Sequence, residues 1–349
     1  MSGGESDGPV YPWGLPLQAR IKTCPEDFVV DEIPATQPSG EGTHVWLQIR
    51  KRGRNTEDVA EWLARAAGAA RVAVGYAGRK DRHAITTQWF SVDLAGRQEP
   101  DWNGAVPDGV EILDRRRHAR KLKTGHLRGN RFWLRLRDVR GDRQAADALL
   151  GRIRDRGLPA YFGEQRFGHA NLERARAWFA GRMRPRSRNQ RGLYLSAARA
   201  AIFNEVLRRR VREGTWDRLL SGELANLDGR GSVFPVPEID VDLEARCAQL
   251  EIHPTGPLWG RGGSGSAGEA LVLEREVAGA LGELAAGLER EGVDPARRPL
   301  RLRPRTLAWV WQAPDMLQLE IELGPGEYAT GVAEAIARLS ETGHLGPAR

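Results

Sequence analysis

The sequence predicts an α+β protein in which one sheet is assembled from both ends of the chain and a more helical segment is inserted between them. Three observations carry this. Short β-rich segments with alternating apolar residues occur before residue 140 and again after residue 305, whereas helical patterning dominates between them. Two late strands would make a poor domain alone, so they are assigned to the early sheet. And 349 residues exceed one typical domain of about 100–200 residues without reaching three.

Taken in order, a Gly/Ser/Asp leader, expected to be disordered, precedes a first strand at Phe28–Glu32. His44–Ile49 follows, with Val45, Leu47 and Ile49 on one face. A helix comes next. Asn55 is placed to cap it, Glu57 and Asp58 stand in its first turn where the dipole favours anions, Val59, Trp62, Leu63 and Ala66 form its apolar stripe, and Gly68 stops it. Thr86–Val92 is rich in β-branched and aromatic residues and reads as a strand, which makes Gly75–Ile85 the connection that feeds it. Asn130–Asp138 alternates cleanly, with Phe132, Leu134 and Leu136 on one face and Arg131, Trp133, Arg135 and Arg137 on the other.

From Asp142 the pattern turns helical, and Leu172–Gly181, Ser196–Glu213 and Glu274–Glu289 continue it between loops rich in Gly, Pro and Arg. Thr306–Gln312 and Leu317–Leu323 are strands again, followed by a helix over Tyr328–Leu339. Gly260, Gly262 and Gly265 formally satisfy G-x-G-x-x-G, but no strand leads in, no helix starts directly there and the P-loop Gly-Lys-Ser/Thr is missing, so a surface loop is expected.

The net charge is +7, and forty-eight of the fifty-three basic residues are arginine. That bias fits a GC-rich genome as well as selection for guanidinium chemistry. Its distribution is more informative: Arg115 to Arg140 holds eleven basic residues against one acid, Asp138, a local field suited to phosphates, with Phe132 and Trp133 interleaved. Two cysteines, Cys24 and Cys247, exclude a disulfide scaffold and a cysteine-rich zinc module, and fit a reducing cytoplasm. No apolar run approaches the length of a membrane span and the first residues lack signal-peptide character, so a soluble cytoplasmic protein is expected. The seven histidines show no metal-site spacing and no G-x-S-x-G elbow occurs, so no metal is expected.

The densest polar cluster is YAGRKDRHAITTQ, Tyr76 to Gln88, where one acid, Asp81, stands among Arg79, Lys80 and Arg82. Neighbouring cations favour its carboxylate, as a nucleophile or general base requires, although spacing alone favours a turn residue whose side chain caps the next segment. Two further clusters are KTCPEDFVVDEI (Lys22 to Ile33) and LPAYFGEQRFG (Leu158 to Gly168). The first could hold a core phenylalanine and the second a turn of packed aromatics beside Gln165 and Arg166.

Taken together, PEDFVVDEIP (Pro25 to Pro34), HVWLQIRKRGRNTEDVAEWLAR (His44 to Arg65), YAGRKDRHAITTQWFS (Tyr76 to Ser91), GNRFWLRLR (Gly129 to Arg137), YFGEQRFG (Tyr161 to Gly168), LSAARAAIFNEVLRRR (Leu195 to Arg210) and GEYATGVAEAI (Gly326 to Ile336) resemble the tRNA pseudouridine synthase D (TruD) family over nearly the whole chain. The resemblance implies a pseudouridine-synthase-type catalytic domain with a mixed, largely antiparallel sheet flanked by helices, formed by residues 1–155 and 305–349, and an inserted α/β TRUD domain over 156–304. It implies isomerisation of uridine 13 of tRNA to pseudouridine. The family's catalytic aspartate falls on Asp81, a lysine that pairs with it on Lys22, and its substrate-contacting residues on Phe28, Asn130 and Phe132. Tyr328 stands where the family usually has phenylalanine, which keeps a ring and adds a hydroxyl that needs a partner. The reaction implies tRNA as partner, no cofactor, no membrane, no obligate protein partner and a monomer. Attack at C1′, attack at C6 and a glycal route all remain open, as do an RNA-binding protein without catalysis and an N-glycosidase that releases uracil.

Overall fold

The computed structural model describes residues 8–104, 106–168 and 170–341, so most of the Gly/Ser/Asp leader, residues 1–7, lies outside the described residues, as does the Gln165 side chain. The chain forms two compact units. One comprises residues 15–150, 304–329 and those from 336 onward; the other comprises the residues before 15, 151–303 and 330–335.

The described residues of the first unit form a ten-stranded sheet. Its strands in chain order are β1 (Leu17–Ile21), β2 (Phe28–Pro34), β3 (His44–Arg52), β4 (Val74–Tyr76), β5 (Ile85–Asp93), β6 (Val110–His118), β7 (Leu127–Gly141), β8 (Thr306–Ala313), β9 (Met316–Leu323) and β10 (Ala337–Glu341). The spatial order is β8-β9-β7-β2-β5-β3-β6, with β4 added to β5, β1 to β7 and β10 to β1. Pairings β2/β5 and β1/β10 are parallel and the others antiparallel. The two late strands β8 and β9 therefore do join the sheet begun at the front of the chain. The length of β7 makes this possible: residues 127–136 pair with β2 and β9 on its two sides, and its far end meets β1.

Residues opposite one another in a sheet point to the same face. Phe28, Val30 and Glu32 of β2 thus share a face with Leu134, Phe132 and Asn130 of β7, and the row through Val30 continues to Thr86 of β5 and Lys51 of β3. Helix α1 (Thr56–Ala66) packs Val59, Trp62 and Leu63 against Val45, Leu47, Ile49, Phe90 and Val92 of this sheet. At its start the Asp58 carboxylate accepts the Asn55 N–H at 3.2 Å, the half of a capping box in which the first turn reaches back.

Several expectations are corrected. β1 and β6 were not anticipated, and Gly75 and Tyr76 belong to β4 instead of the connecting loop. The helix expected over Tyr328–Leu339 is only Thr330–Glu334, and the chain then enters β10. The spacing of AEAIARL suits a helix, yet Ala337 and Leu339 pair in parallel with Leu17 and Ala19, and tertiary pairing overrides local propensity. Glu274–Glu289 is two helices, Gly268–Ala280 and Gly282–Arg290. The glycine-rich 260–265 segment does have a strand before it, Thr255–Leu258, and the helix after it starts at Gly268, where Ser266 donates to the carboxylate of Glu274, itself paired with buried Arg297.

The second unit centres on the helix Arg188–Arg212, capped by the Ser187 hydroxyl accepting the Gln190 N–H. It buries Tyr194, Leu195, Ala198 and Ile202 against Phe179, Leu284 and Leu288. Its short strands include Glu223–Leu227, paired with Val233–Val236 and Ile252–His253. The YFGEQRFG segment is structural there. Asn204 hydrogen-bonds both the N–H and the carbonyl of Phe162 at 2.9 Å, and Arg166 and Arg298 lie over the Phe162 ring at 4.9 and 4.0 Å.

Candidate active site

The turn joining β4 to β5 carries Asp81, and buried side chains brace it. The Thr56 hydroxyl, at the start of α1, accepts the Lys80 N–H at 2.9 Å and donates to Gln88, whose amide donates to the Gly78 carbonyl. The Lys80 ammonium meets the Glu32 carboxylate at 2.9 Å, with side chains 6% and 1% exposed. The other Glu32 oxygen accepts the Trp89 N–H, taking the place of a strand carbonyl where β2 no longer pairs with β5. From below, the Lys51 ammonium donates to the carbonyls of Arg54 and Asp81, both at 2.8 Å, and of Lys80 at 3.4 Å.

Asp81 sits as a turn residue, and the cation its carboxylate faces is Lys22, since its neighbours Arg79, Lys80 and Arg82 turn to Glu57, Glu32 and the Gly53 carbonyl. One carboxylate oxygen accepts the His83 N–H at 2.9 Å, as a turn residue does, and the other faces the Lys22 ammonium at 2.9 Å. Burial pushes this carboxyl up, but Lys22 and the His83 N–H outweigh it and hold it below the ordinary aspartate value. Lys22 follows β1 with φ of 56°, a left-handed conformation uncommon outside glycine and found where side-chain direction matters.

The structure brings Lys22, Asp81, Phe28 and Phe132 together. The Lys22 ammonium lies 4.8 Å from the Phe28 ring centre, and Phe28 meets Phe132 edge-on at 6.2 Å. Both rings are almost wholly buried, so they form a rigid apolar wall and not an open stacking platform. Asn130 stands on the same face, opposite Glu32 in register, and its side-chain oxygen is shielded from solvent with no hydrogen-bond partner. The Thr86 hydroxyl is in the same condition. Buried polar atoms without partners are rare and are a natural place for a ligand to bond. Tyr328 stands apart, half-buried in the turn after Leu323, and among the described residues it makes no ring contact with Phe28 or Phe132.

Two features escaped the sequence. Asp27, fully buried, accepts from Arg137 through both carboxylate oxygens at 2.9 Å and from the Cys24 N–H, fixing the 3-10 turn Pro25–Asp27 that delivers Phe28 to β2. The basic run is also less bare than its composition implies. Arg115 and Arg117 pair with Glu99, Arg116 with Asp114, and Arg131 with Glu320 and Glu322, while Arg120, Lys123, Arg128 and Arg140 are exposed. Glu99, Asp27, Glu320 and Glu322 lie outside the basic window, so spacing could not reveal them. Among the described residues no group of three or more His, Cys, Asp or Glu is placed to hold a metal ion, and no helix is long and apolar enough to cross a membrane.

Fold and site define an α+β protein that presents one ionised carboxylate, on a braced turn, beside a wall of aromatic rings. The family model described as tRNA pseudouridine synthase D (TruD) matches residues 13–175 and 171–336. The chain belongs to that family. It is 44% identical to a tRNA pseudouridine synthase D of Methylococcus capsulatus over 93% of both chains. It is 47% identical to one of Nitrosococcus oceani over 93% of this chain and 92% of that protein. A crystal structure assigned as tRNA pseudouridine synthase D from Methanosarcina mazei shares the fold, with a TM-score of 0.69 and 19% identity over 94% of this chain and 96% of the other.

Proposed function

We propose that this chain isomerises uridine 13 of tRNA to pseudouridine, with Asp81 as the reacting carboxylate and Lys22 keeping it ionised and aimed. The observation that carries the reading is the Lys22–Asp81 contact at 2.9 Å beside the Phe28 ring, within a chain whose relatives are named tRNA pseudouridine synthase D. The reaction breaks the N1–C1′ bond, turns the uracil without releasing it and forms C5–C1′, with N1 gaining a proton and C5 losing one. An ionised carboxylate serves each route: addition at C1′, addition at C6, or proton removal from the ribose to give a glycal. The target base leaves its stack and rests against the Phe28/Phe132 wall, while the unpartnered Asn130 oxygen accepts a substrate N–H or O–H. Tyr328 enters as a further ring when tRNA is bound.

Nothing is oxidised and no group is gained or lost, so the chemistry calls for no cofactor. In this reading residues 1–155 and 305–349 act as the catalytic domain and 156–304 as the inserted TRUD domain. The protein works on tRNA in the cytoplasm as a monomer without an obligate protein partner. The test incubates purified protein, without added cofactor, with unmodified transcribed tRNA, and maps pseudouridine by carbodiimide labelling and primer extension. A stop marking position 13 that disappears with Asp81→Ala, tRNA binding intact, is the expected result. Free uracil would instead mean a glycosidase, and binding without any product an RNA-binding protein.

A further inference from the structure

We propose that Lys51 is a positioning residue for the reaction: its ammonium gathers the backbone carbonyls of Lys80 and Asp81 and so fixes the direction in which the Asp81 carboxylate is presented. The inference rests on the reading that Asp81 is the reacting group. Lys51 lies on β3, is completely buried and spends its three N–H bonds on three carbonyls, those of Arg54, Lys80 and Asp81. It touches the turn only through backbone, so its influence reaches Asp81 by holding the main chain. Composition supports the choice of residue. In a chain with forty-eight arginines, only five lysines occur, and three of them, Lys22, Lys51 and Lys80, converge on this one turn. A compact ammonium turns its three N–H bonds to converging carbonyls, whereas a guanidinium holds its donors in a planar fork.

The groups facing Lys51 are Thr86 of β5 and Val110 of β6, opposite it in register, Glu57 and Asp58 of α1, Lys80 and Asp81 of the turn, and the Arg54 carbonyl of its own segment. Three of these charges are engaged elsewhere: Glu57 by Arg79, Asp58 by Asn55 and Lys80 by Glu32. Burial lowers the Lys51 ammonium from 10.5 to about 8. Above that pH the amine has two hydrogens for three carbonyls and turns a lone pair toward one of them, so the grip on the turn loosens. The sign of the stability effect is opposite. Between about 8 and 10.5 the unfolded chain holds this proton and the folded chain does not, so the group's contribution to stability rises with pH while the reaction slows.

The experiment measures single-turnover isomerisation of a tRNA transcript against pH for the wild type, Lys51→Met and Lys51→Arg, with tRNA affinity and thermal unfolding measured in parallel. The wild-type rate is expected to fall above about pH 8 without loss of fold or of tRNA binding. Lys51→Met should react about a hundredfold more slowly, the scale of loss that follows a displacement of about 1 Å in a reacting group, and should lose the alkaline fall. Lys51→Arg, which stays charged, should also lack that fall. A wild-type rate that stays level through the alkaline range overturns the proposal, as does a folded Lys51→Met that reacts within threefold of wild type. So does an alkaline fall that persists in Lys51→Arg, since it then belongs to the uracil ring. If Lys51→Met does not fold, the wild-type and Lys51→Arg profiles decide. Asp81→Asn in the same assay separates the two failures: if it still reacts, the assignment of Asp81 is what has failed.

Discussion

Lys80 and Glu32 form a salt bridge of 2.9 Å from which water is excluded, tying the residue before Asp81 to the second strand of the sheet. Two charges so placed are poor at adding stability and costly to separate, because a lone buried charge has no solvent to replace its partner. Glu32→Gln leaves the Lys80 ammonium in that position, and unfolding by urea, followed by tryptophan fluorescence, should show a loss of about 3–5 kcal/mol. The pair Glu32→Leu with Lys80→Met should regain part of the stability and none of the isomerisation. A Glu32→Gln protein that unfolds at the wild-type midpoint would contradict this account.

The acid side of the rate profile should report on Lys22. Burial alone would raise the Asp81 carboxyl, and Lys22 is the main influence that reverses it. Because the folded value lies below the unfolded one, the stabilisation from this contact is complete above the ordinary aspartate value and is lost as pH falls through the lowered one. Lys22→Met removes the ammonium and leaves the burial, so the acid limb of isomerisation should move to higher pH. An acid limb in the same place for both proteins would show that Lys22 does not set the ionisation of Asp81.

Gly129 should not tolerate a side chain. A Cβ there would stand 2.2 Å from the Leu323 carbonyl oxygen, between β7 and β9 and one residue before Asn130. Gly129→Ala should cost roughly 1–3 kcal/mol as the strands part. It should also slow isomerisation by moving Asn130. Gly151→Ala, in the helix Arg143–Arg156 with open space around it, is the contrast and should stabilise by up to about 1 kcal/mol. Equal melting temperatures for the two variants would refute the steric argument.

Arginines of the basic run should divide into two kinds. Arg137→Gln leaves the fully buried Asp27 to the more distant Arg135, at 3.9 Å, so its main effect should be on stability. Arg128→Gln, at an exposed position, should leave stability alone and reduce the slope of tRNA affinity against salt by roughly one counterion. Titrations of tRNA at several salt concentrations, beside thermal melts, separate the two. A reduced salt slope with unchanged stability for Arg137→Gln would overturn the division.

What could be read beforehand follows a physical line. β2, β7 and β9 were legible because their burial alternates along the strand, β3 from its alternating Val45, Leu47 and Ile49, and β5, buried on both faces, from its β-branched and aromatic residues, while Asp81 stood out as a lone acid among cations. β1 was missed because five residues, LQARI, are too few for a pattern, and β10 because its neighbour lies at the other end of the chain. Lys51 was invisible for a different reason. Two of its three partners are carbonyls 29 and 30 residues downstream, and a backbone oxygen leaves no mark on residue type. The wall beside Asp81 was legible as residues but not as burial: Phe28 and Phe132 read as stacking rings and are nearly closed into the core.

The separation of β7 from β9 along the chain also governs when the site comes into being. Lys22, Phe28, Lys51, Asp81 and Asn130 are all translated by residue 141, yet the strand that covers the other edge of β7 begins at Met316 and β10 at Ala337. A nascent chain at that stage exposes an unpaired strand edge next to Asn130, open to pairing with other chains, until the ribosome has delivered β9 and β10. The site's final assembly thus waits for strands made long after its own residues, and lesions in β9 or β10 should act through yield and aggregation in the cell before they act on turnover.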